Sequence, residues 1–178
     1  MKILILGQPR SGKSTLSKIL SEQLKFPTIC TDNYRLEWNF HKPLYGYDTE
    51  IDPSNQMNFY NQLKEVYEKY DNLILEGSAI NPKDSYLFNP DIVILLSRKS
   101  ITAQKMFEDS RKYDNDWTKS RSDEYLYNLF ENYIRYSQEW AKENKEILVD
   151  TTNYLEGINI AKRIIISKID DIKNKQEL

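Results

Sequence analysis

Residues 7–14 read Gly7-Gln8-Pro9-Arg10-Ser11-Gly12-Lys13-Ser14, an eight-residue G-x-x-x-x-G-K-[ST] loop. Lys2-Ile3-Leu4-Ile5-Leu6 precedes it as a buried-strand run, and Thr15-Leu16-Ser17-Lys18-Ile19-Leu20 follows it as the start of a helix. Strand, glycine loop, helix is the context that confirms this motif. It restricts the fold sharply, because the helix N-terminus must face the carboxyl end of the strand. The chain has five glycines, and two stand here at the required spacing, which argues against a chance match.

The residue types explain the chemistry. Gly7 and Gly12 admit backbone dihedrals closed to residues with a Cβ, so several N–H groups can turn inward as an anion nest. The following helix adds its free N–H groups and the positive end of its dipole. Lys13 supplies a mobile charge for the β- and γ-phosphates, and Ser14 offers a hydroxyl to Mg²⁺. Thr15 either bonds the α-phosphate or caps the helix. Gly7, Gln8, Pro9, Arg10, Ser11, Gly12, Lys13, Ser14 and Thr15 are together expected to bind ATP with Mg²⁺.

The chain of 178 residues is long enough for one domain with a full core. Its 25 Lys and Arg against 27 Asp and Glu leave a net charge of −2, which argues against a broad nucleic-acid footprint but leaves room for a local basic groove. The single cysteine, Cys30, excludes an internal disulfide and fits a reducing compartment; it reads as a small buried strand residue. No apolar run approaches a membrane span, and the N-terminus is consumed by the first strand, so a cytoplasmic location is expected.

Short apolar runs alternate with helical stretches along the chain. Strands are expected over about 2–6, 27–30, 72–76, 91–96 and 146–150, and helices over about 13–24, 54–70, 100–110, 122–143 and 155–173. Leu16, Ile19, Leu20 and Leu24 face inward on the first helix, and Phe59, Leu63 and Val66 on the second. Residues 36–53 are broken by Pro43, Gly46 and Pro53, and 111–120 are polar. Strands separated by helices imply an α/β fold with a parallel sheet between helical layers. Ligands in such sheets bind beyond the carboxyl ends of the strands, so Gly7, Asp32, Glu76, Arg98 and Asp150 should converge on one crevice.

On the phosphate loop and this layout, the chain resembles the small P-loop kinases, the superfamily of nucleotide, shikimate, gluconate and polynucleotide kinases. The resemblance covers the whole chain, 1–178, as one domain. It implies a three-layer αβα sandwich with a five-stranded parallel sheet. It further implies an acceptor-binding insertion, about 33–70, and an arginine-bearing lid, about 111–121. The activity implied is transfer of the γ-phosphate of ATP to a small acceptor: a nucleotide, nucleoside or other hydroxyl metabolite. A polynucleotide 5′-hydroxyl kinase and an ATPase switch are the alternatives.

Thr31-Asp32-Asn33-Tyr34-Arg35 is similar to the Asp-Asp-Tyr-Arg segment of polynucleotide 5′-kinases. Asp32 would accept the proton of an attacking hydroxyl, and Arg35 would grip a substrate phosphate or carboxylate; a helix N-cap is the other use for Asp32. Glu76, in Leu73-Ile74-Leu75-Glu76-Gly77, is placed to hold a Mg²⁺-bound water or to contact the acceptor. Arg121-Ser122-Asp123-Glu124 resembles the Arg-x-Asp-Asp lid motif of adenylate kinases, so Arg121, with Arg111, is expected over the transferring phosphate. Lys112 and Lys119 have a weaker claim, and solvation of a loop is the alternative for all four. Trp117 either anchors the lid or stacks on adenine. In related kinases the backbone after the last strand touches the nucleobase, which makes Thr152 and Asn153 adenine-side candidates. His41 reads as an exposed loop residue, and Trp38, Phe40, Tyr45 and Tyr47 as acceptor-side stackers or packing.

Overall fold

The computed structural model describes residues 1–31, 33–34, 53–112 and 119–176. Asp32, Arg35, Trp38, Phe40, His41, Tyr45, Tyr47 and Trp117 lie outside the described residues. The elements run β1 (Lys2–Gly7), α1 (Lys13–Leu24), β2 (Thr28–Cys30), α2 (Pro53–Tyr67), β3 (Leu73–Gly77), β4 (Ile92–Ser97), α3 (Ala103–Lys112), α4 (Asp123–Glu143), β5 (Leu148–Asp150) and α5 (Tyr154–Gln176). The strands form one parallel sheet in the order β2-β3-β1-β4-β5.

Strand periodicity sorts the core into two layers. Leu4 and Leu6 of β1 point to one face, with Leu73, Leu75 and Leu95, and meet Phe59, Tyr60, Leu63 and Tyr67 of α2 and Tyr136 and Trp140 of α4. Ile3 and Ile5 point to the other face, with Ile74, Ile92 and Ile94. They meet Leu16 and Leu20 of α1 and Ile158, Ala161, Ile165 and Ile169 of α5. Both faces of β1, β3 and β4 are therefore apolar, as central parallel strands require. A third cluster joins Met106 of α3 to Leu126, Leu129, Phe130 and Tyr133 of α4.

The register lines up the strand ends. Ile5 pairs with Glu76, Leu6 with Gly77, Gly7 with Leu96 and Ser97 with Asp150. Glu76, Arg98 and Asp150 thus sit on the same rim as the phosphate loop. Three details differ from the sequence reading. A 3₁₀ helix, Pro82–Phe88, follows β3; Asn81 caps it by accepting from the Lys83 N–H. Ile19, Leu24, Cys30 and Val66 are half-buried rather than fully inward. Strand β5 starts at Leu148, two residues later than the apolar run suggests.

The exit of β3 is fastened to α2. Gln56 donates from Nε2 to the Ala79 carbonyl at 2.9 Å, and the Tyr60 hydroxyl accepts from the Asn81 N–H and donates to Asp84, each at 3.0 Å. Burial pushes the Tyr60 phenol well above its ordinary range, so it stays a neutral donor.

Candidate active site

The phosphate loop holds the backbone that its glycines permit. Gly7 has φ 146° and Gly12 φ 100°, and Arg10 between them has φ 64°. Gly7 also has no room for a side chain, since a Cβ there would lie 2.2 Å from the Leu96 carbonyl oxygen. The loop closes through the Ser11 N–H, which donates to the Gln8 carbonyl at 3.2 Å. Gly12 is the N-cap of α1 and no side chain caps the helix, so the first N–H groups are left for a ligand. No acidic residue stands in the first turn of α1. The Ser11 hydroxyl is fully buried and lacks a hydrogen-bond partner, as suits a group placed for a phosphate oxygen. Lys13 is buried to 6 % exposure, and its Nζ donates to the Gln8 carbonyl at 2.9 Å.

Glu76 projects from the end of β3 into the same place. It is 3 % exposed, and its Oε1 accepts the Ser14 hydroxyl at 2.9 Å. A hydroxyl and a carboxylate in contact at the start of α1 are hard oxygen donors of the kind Mg²⁺ takes, with waters and phosphate oxygens completing its octahedron. The residues therefore fit the expected Mg²⁺.

A cavity of about 410 Å³ opens above the loop, lined by Arg10, Gly12, Lys13, Ser14, Thr15, Arg98, Asp109 and Tyr154. Arg98 was expected on this crevice from its strand end, and Asp109 and Tyr154 were not expected there. Arg98 follows β4 directly. Asp109, on α3, faces Arg10 at 3.8 Å and accepts from Lys105 Nζ at 2.8 Å. The Lys105 ammonium holds the Asp109 carboxyl below the usual carboxylate range, and Arg10 and Lys112 add to the effect. Tyr154, the first residue of α5, shares a hydrogen bond between its hydroxyl and Thr15 Oγ1. The signals for Asp109 and Tyr154 were present but ambiguous. A Lys105–Asp109 pair at i,i+4 looks like ordinary helix support, and a tyrosine at a helix start looks like packing.

Thr152 and Asn153 stand beside the cavity and not on its wall. Thr152 Oγ1 accepts from Ser100 at 3.2 Å, and Asn153 donates to Glu156 at 2.8 Å within the first turn of α5. Asp150 is exposed and serves its own loop. Burial alone would raise its carboxyl, but the hydroxyl and backbone N–H of Thr152 outweigh this and hold it below its usual range.

Arg111 and Arg121 are not in the described lining of the cavity. Arg111, at the end of α3, donates to the Arg121 carbonyl at 3.1 Å and pairs with the Asp123 carboxylate at the start of α4. Arg121 lies over the Tyr125 ring, 5.6 Å from its centroid. Arg111 thus joins the end of α3 to the start of α4, and residues 113–118 of the expected lid lie outside the described residues. Lys112 and Lys119 are exposed.

The chain is similar to several known proteins. A family model described as "AAA domain" matches residues 3–126. A cytidylate kinase from Methanoregula boonei is 25 % identical over 166 residues, covering 81 % of this chain and 89 % of that protein. A gluconokinase from Sinorhizobium meliloti superimposes with a TM-score of 0.61 at 13 % identity, over 99 % of this chain and 95 % of the other. A deoxyadenosine kinase from M. mycoides does so at 0.55 and 19 % identity, over 97 % and 100 %. Among the described residues no helix is long and apolar enough to cross a membrane.

Proposed function

Because the chain belongs to the AAA domain family and has the fold of the P-loop kinases, we propose that it transfers the γ-phosphate of ATP to a small acceptor, a nucleotide, nucleoside or other hydroxyl metabolite. One observation carries the reading: the Ser14–Glu76 contact stands directly beside Lys13 at the mouth of a phosphate-shaped loop.

Each residue has a definable task. Loop N–H groups, the Ser11 hydroxyl and Lys13 bind the polyphosphate. Ser14 and Glu76 would hold Mg²⁺, which when bound neutralises charge on the β- and γ-oxygens. Arg98 brings guanidinium charge to the cavity wall. Asp32 orients and deprotonates an acceptor hydroxyl, and Arg35 grips the acceptor; the support is their place after β2 and the resemblance of Thr31 through Arg35 to kinase segments. Arg111 and Arg121 would reach the transferring group on closure, which requires the Arg111–Asp123 pair to open. Thr152 and Asn153 would then approach the nucleobase from the head of α5.

The acceptor reading draws on the relatives. The protein similar over most of this chain is named a cytidylate kinase, and one superposed structure is described with dCMP as a product. A net charge of −2 gives no support to an extended nucleic-acid track.

The test is an acceptor screen with MgATP against CMP, AMP, deoxyadenosine, gluconate, shikimate and a 5′-hydroxyl oligonucleotide, with phosphorylated products separated and measured. Phosphorylation of one small molecule is expected. Transfer to the oligonucleotide alone would reassign the chain as a 5′-end kinase. ADP release with no phosphorylated acceptor would make it an ATPase switch.

A further inference from the structure

A second cavity, of about 540 Å³, opens beside α4 at the β4–β5 edge of the sheet. Small-molecule sites run from roughly 300 to 1,000 Å³. Three buried polar residues border it: Gln8, Ser97 and Ser137, at 4 %, 2 % and 5 % exposure. The Ser97 and Ser137 hydroxyls are 3.0 Å apart, and Ser97 faces Gln8 Oε1 at 3.5 Å. Ile134 and Leu148 add an apolar patch.

The charge on the lining is of one sign. Arg98, Lys99, Lys142 and Lys145 border the cavity, and among the described residues no acidic one does. Among the described residues no ion pair engages Lys142 or Lys145. The nearest acid along β5 is Asp150, which accepts from Thr152 and from the Lys99 backbone N–H. Arg98 Nε is buried and has no hydrogen-bond partner. An unmatched guanidinium N–H on a residue of a cavity also lined by Lys99, Lys142 and Lys145 suits an anion.

The cavity is distinct from the one over the phosphate loop. The nucleotide cavity lies over Gly12 and Thr15, and only Arg98 lines both. Gln8 belongs to the phosphate loop, and its carbonyl holds Lys13 while its side chain faces Ser97.

We propose that this cavity is a second anion site that takes a phosphorylated small molecule, and that Arg98 and Gln8 couple it to the nucleotide site. An occupant that draws Arg98 or Gln8 toward itself changes the affinity of the phosphate loop. By linkage, nucleotide changes the affinity of the second site by the same factor.

Inorganic pyrophosphate is a suitable probe, titrated by calorimetry into protein saturated with Mg²⁺ and a non-hydrolysable ATP analogue, so that the phosphate loop is already filled. One saturable event is expected, with amide resonance shifts at Ser97, Lys99 and Gln138. Lys142→Ala with Lys145→Ala should weaken that event by about tenfold and leave affinity for the analogue within twofold. Lys142→Arg with Lys145→Arg should restore it, and thermal unfolding of each analogue-loaded variant reports whether the fold is kept. Absence of a saturable event, equal pyrophosphate affinity in wild type and the alanine double variant, or shifts confined to residues flanking β2 would each overturn the proposal.

Discussion

The Ser14 hydroxyl donates to Glu76 Oε1 at 2.9 Å, joining the first turn of α1 to the end of β3 across 62 residues of chain. The pairing register explains how they meet, because Ile5 lies beside Glu76, so β3 ends level with the start of the loop. A 3 % exposed carboxylate with a hydroxyl partner is held in one place before any ligand arrives. That arrangement favours pre-organised metal binding over a role in gripping the acceptor.

Glu76→Gln should therefore act through Mg²⁺. The amide is nearly isosteric and can still accept from Ser14, so the fold is retained. The Mg²⁺ concentration for half-maximal turnover should rise by about 10- to 100-fold, the range seen when groups that support a metal are changed. Ser14→Ala should shift it in the same direction, and the double variant should shift it by less than the product of the two. A steady-state Mg²⁺ titration at fixed ATP decides the matter. An unchanged requirement in Glu76→Gln, with a raised acceptor KM, would transfer Glu76 to the acceptor.

Lys13→Ala should remove turnover without unfolding the protein. The ammonium donates to the Gln8 carbonyl at 2.9 Å within the loop, away from the two apolar layers that hold the fold. Removal of a group stabilising charge in the transition state costs roughly 10²–10³-fold in rate. Product formation should fall at least that far while the far-ultraviolet spectrum stays unchanged. Near-normal turnover in a folded variant would sink the assignment of Lys13.

Asp109 places a negative charge on the wall of the cavity above Gly12 and Lys13, where the proposed function puts the polyphosphate. Asp109→Asn should tighten ATP-analogue binding severalfold at low salt, with the gain shrinking as ionic strength rises. The same change has a pH signature. Lys105 and Arg10 lower the Asp109 carboxyl from its ordinary 3.8. A lowered carboxyl adds stability above its unfolded value and loses it as pH falls through the folded value. The Asn variant should accordingly show a shallower loss of stability below about pH 4. Weaker nucleotide binding in Asp109→Asn would show instead that its hold on Arg10 shapes the loop.

The legible parts of this protein are those carried by local pattern. The loop from Gly7 to Ser14 demands its strand and helix, and runs such as Ile92 through Leu96 can serve only as buried parallel strands. Glu76 was legible because an ionised residue ending an apolar run has few other uses. The Arg111–Asp123 pair was not legible, since Asp123 reads equally well as a first-turn acid on α4. The 3₁₀ helix after Pro82 was missed because seven residues carry too little period to detect. Arg98 was legible as the residue after an apolar strand, whereas Asp109 and Tyr154 reach the cavity through the packing of α3 and α5 around the loop, and no spacing in the chain encodes that meeting. Asp32 and Arg35 remain assigned by resemblance.

Gly12 tests how tightly the phosphate loop is coupled to α5. Its φ of 100° is left-handed, and a Cβ there would lie 2.6 Å from Ile158 Cδ1 and 3.1 Å from Tyr154 Cε2. Gly12→Ala therefore meets two costs: backbone strain of about 1–2 kcal/mol and a clash with a side-chain tip. Ile158→Val removes the clashing carbon at a cost of roughly 0.5–1.5 kcal/mol for the lost buried methyl. In the Ile158→Val background Gly12→Ala should consequently be less destabilising than in the wild type, while nucleotide affinity stays depressed because the strained backbone persists. Denaturant unfolding of the four proteins, with analogue titrations of each, separates the two costs. Equal destabilisation by Gly12→Ala in both backgrounds would mean that α5 yields freely, and the loop would then owe its shape to its own backbone alone.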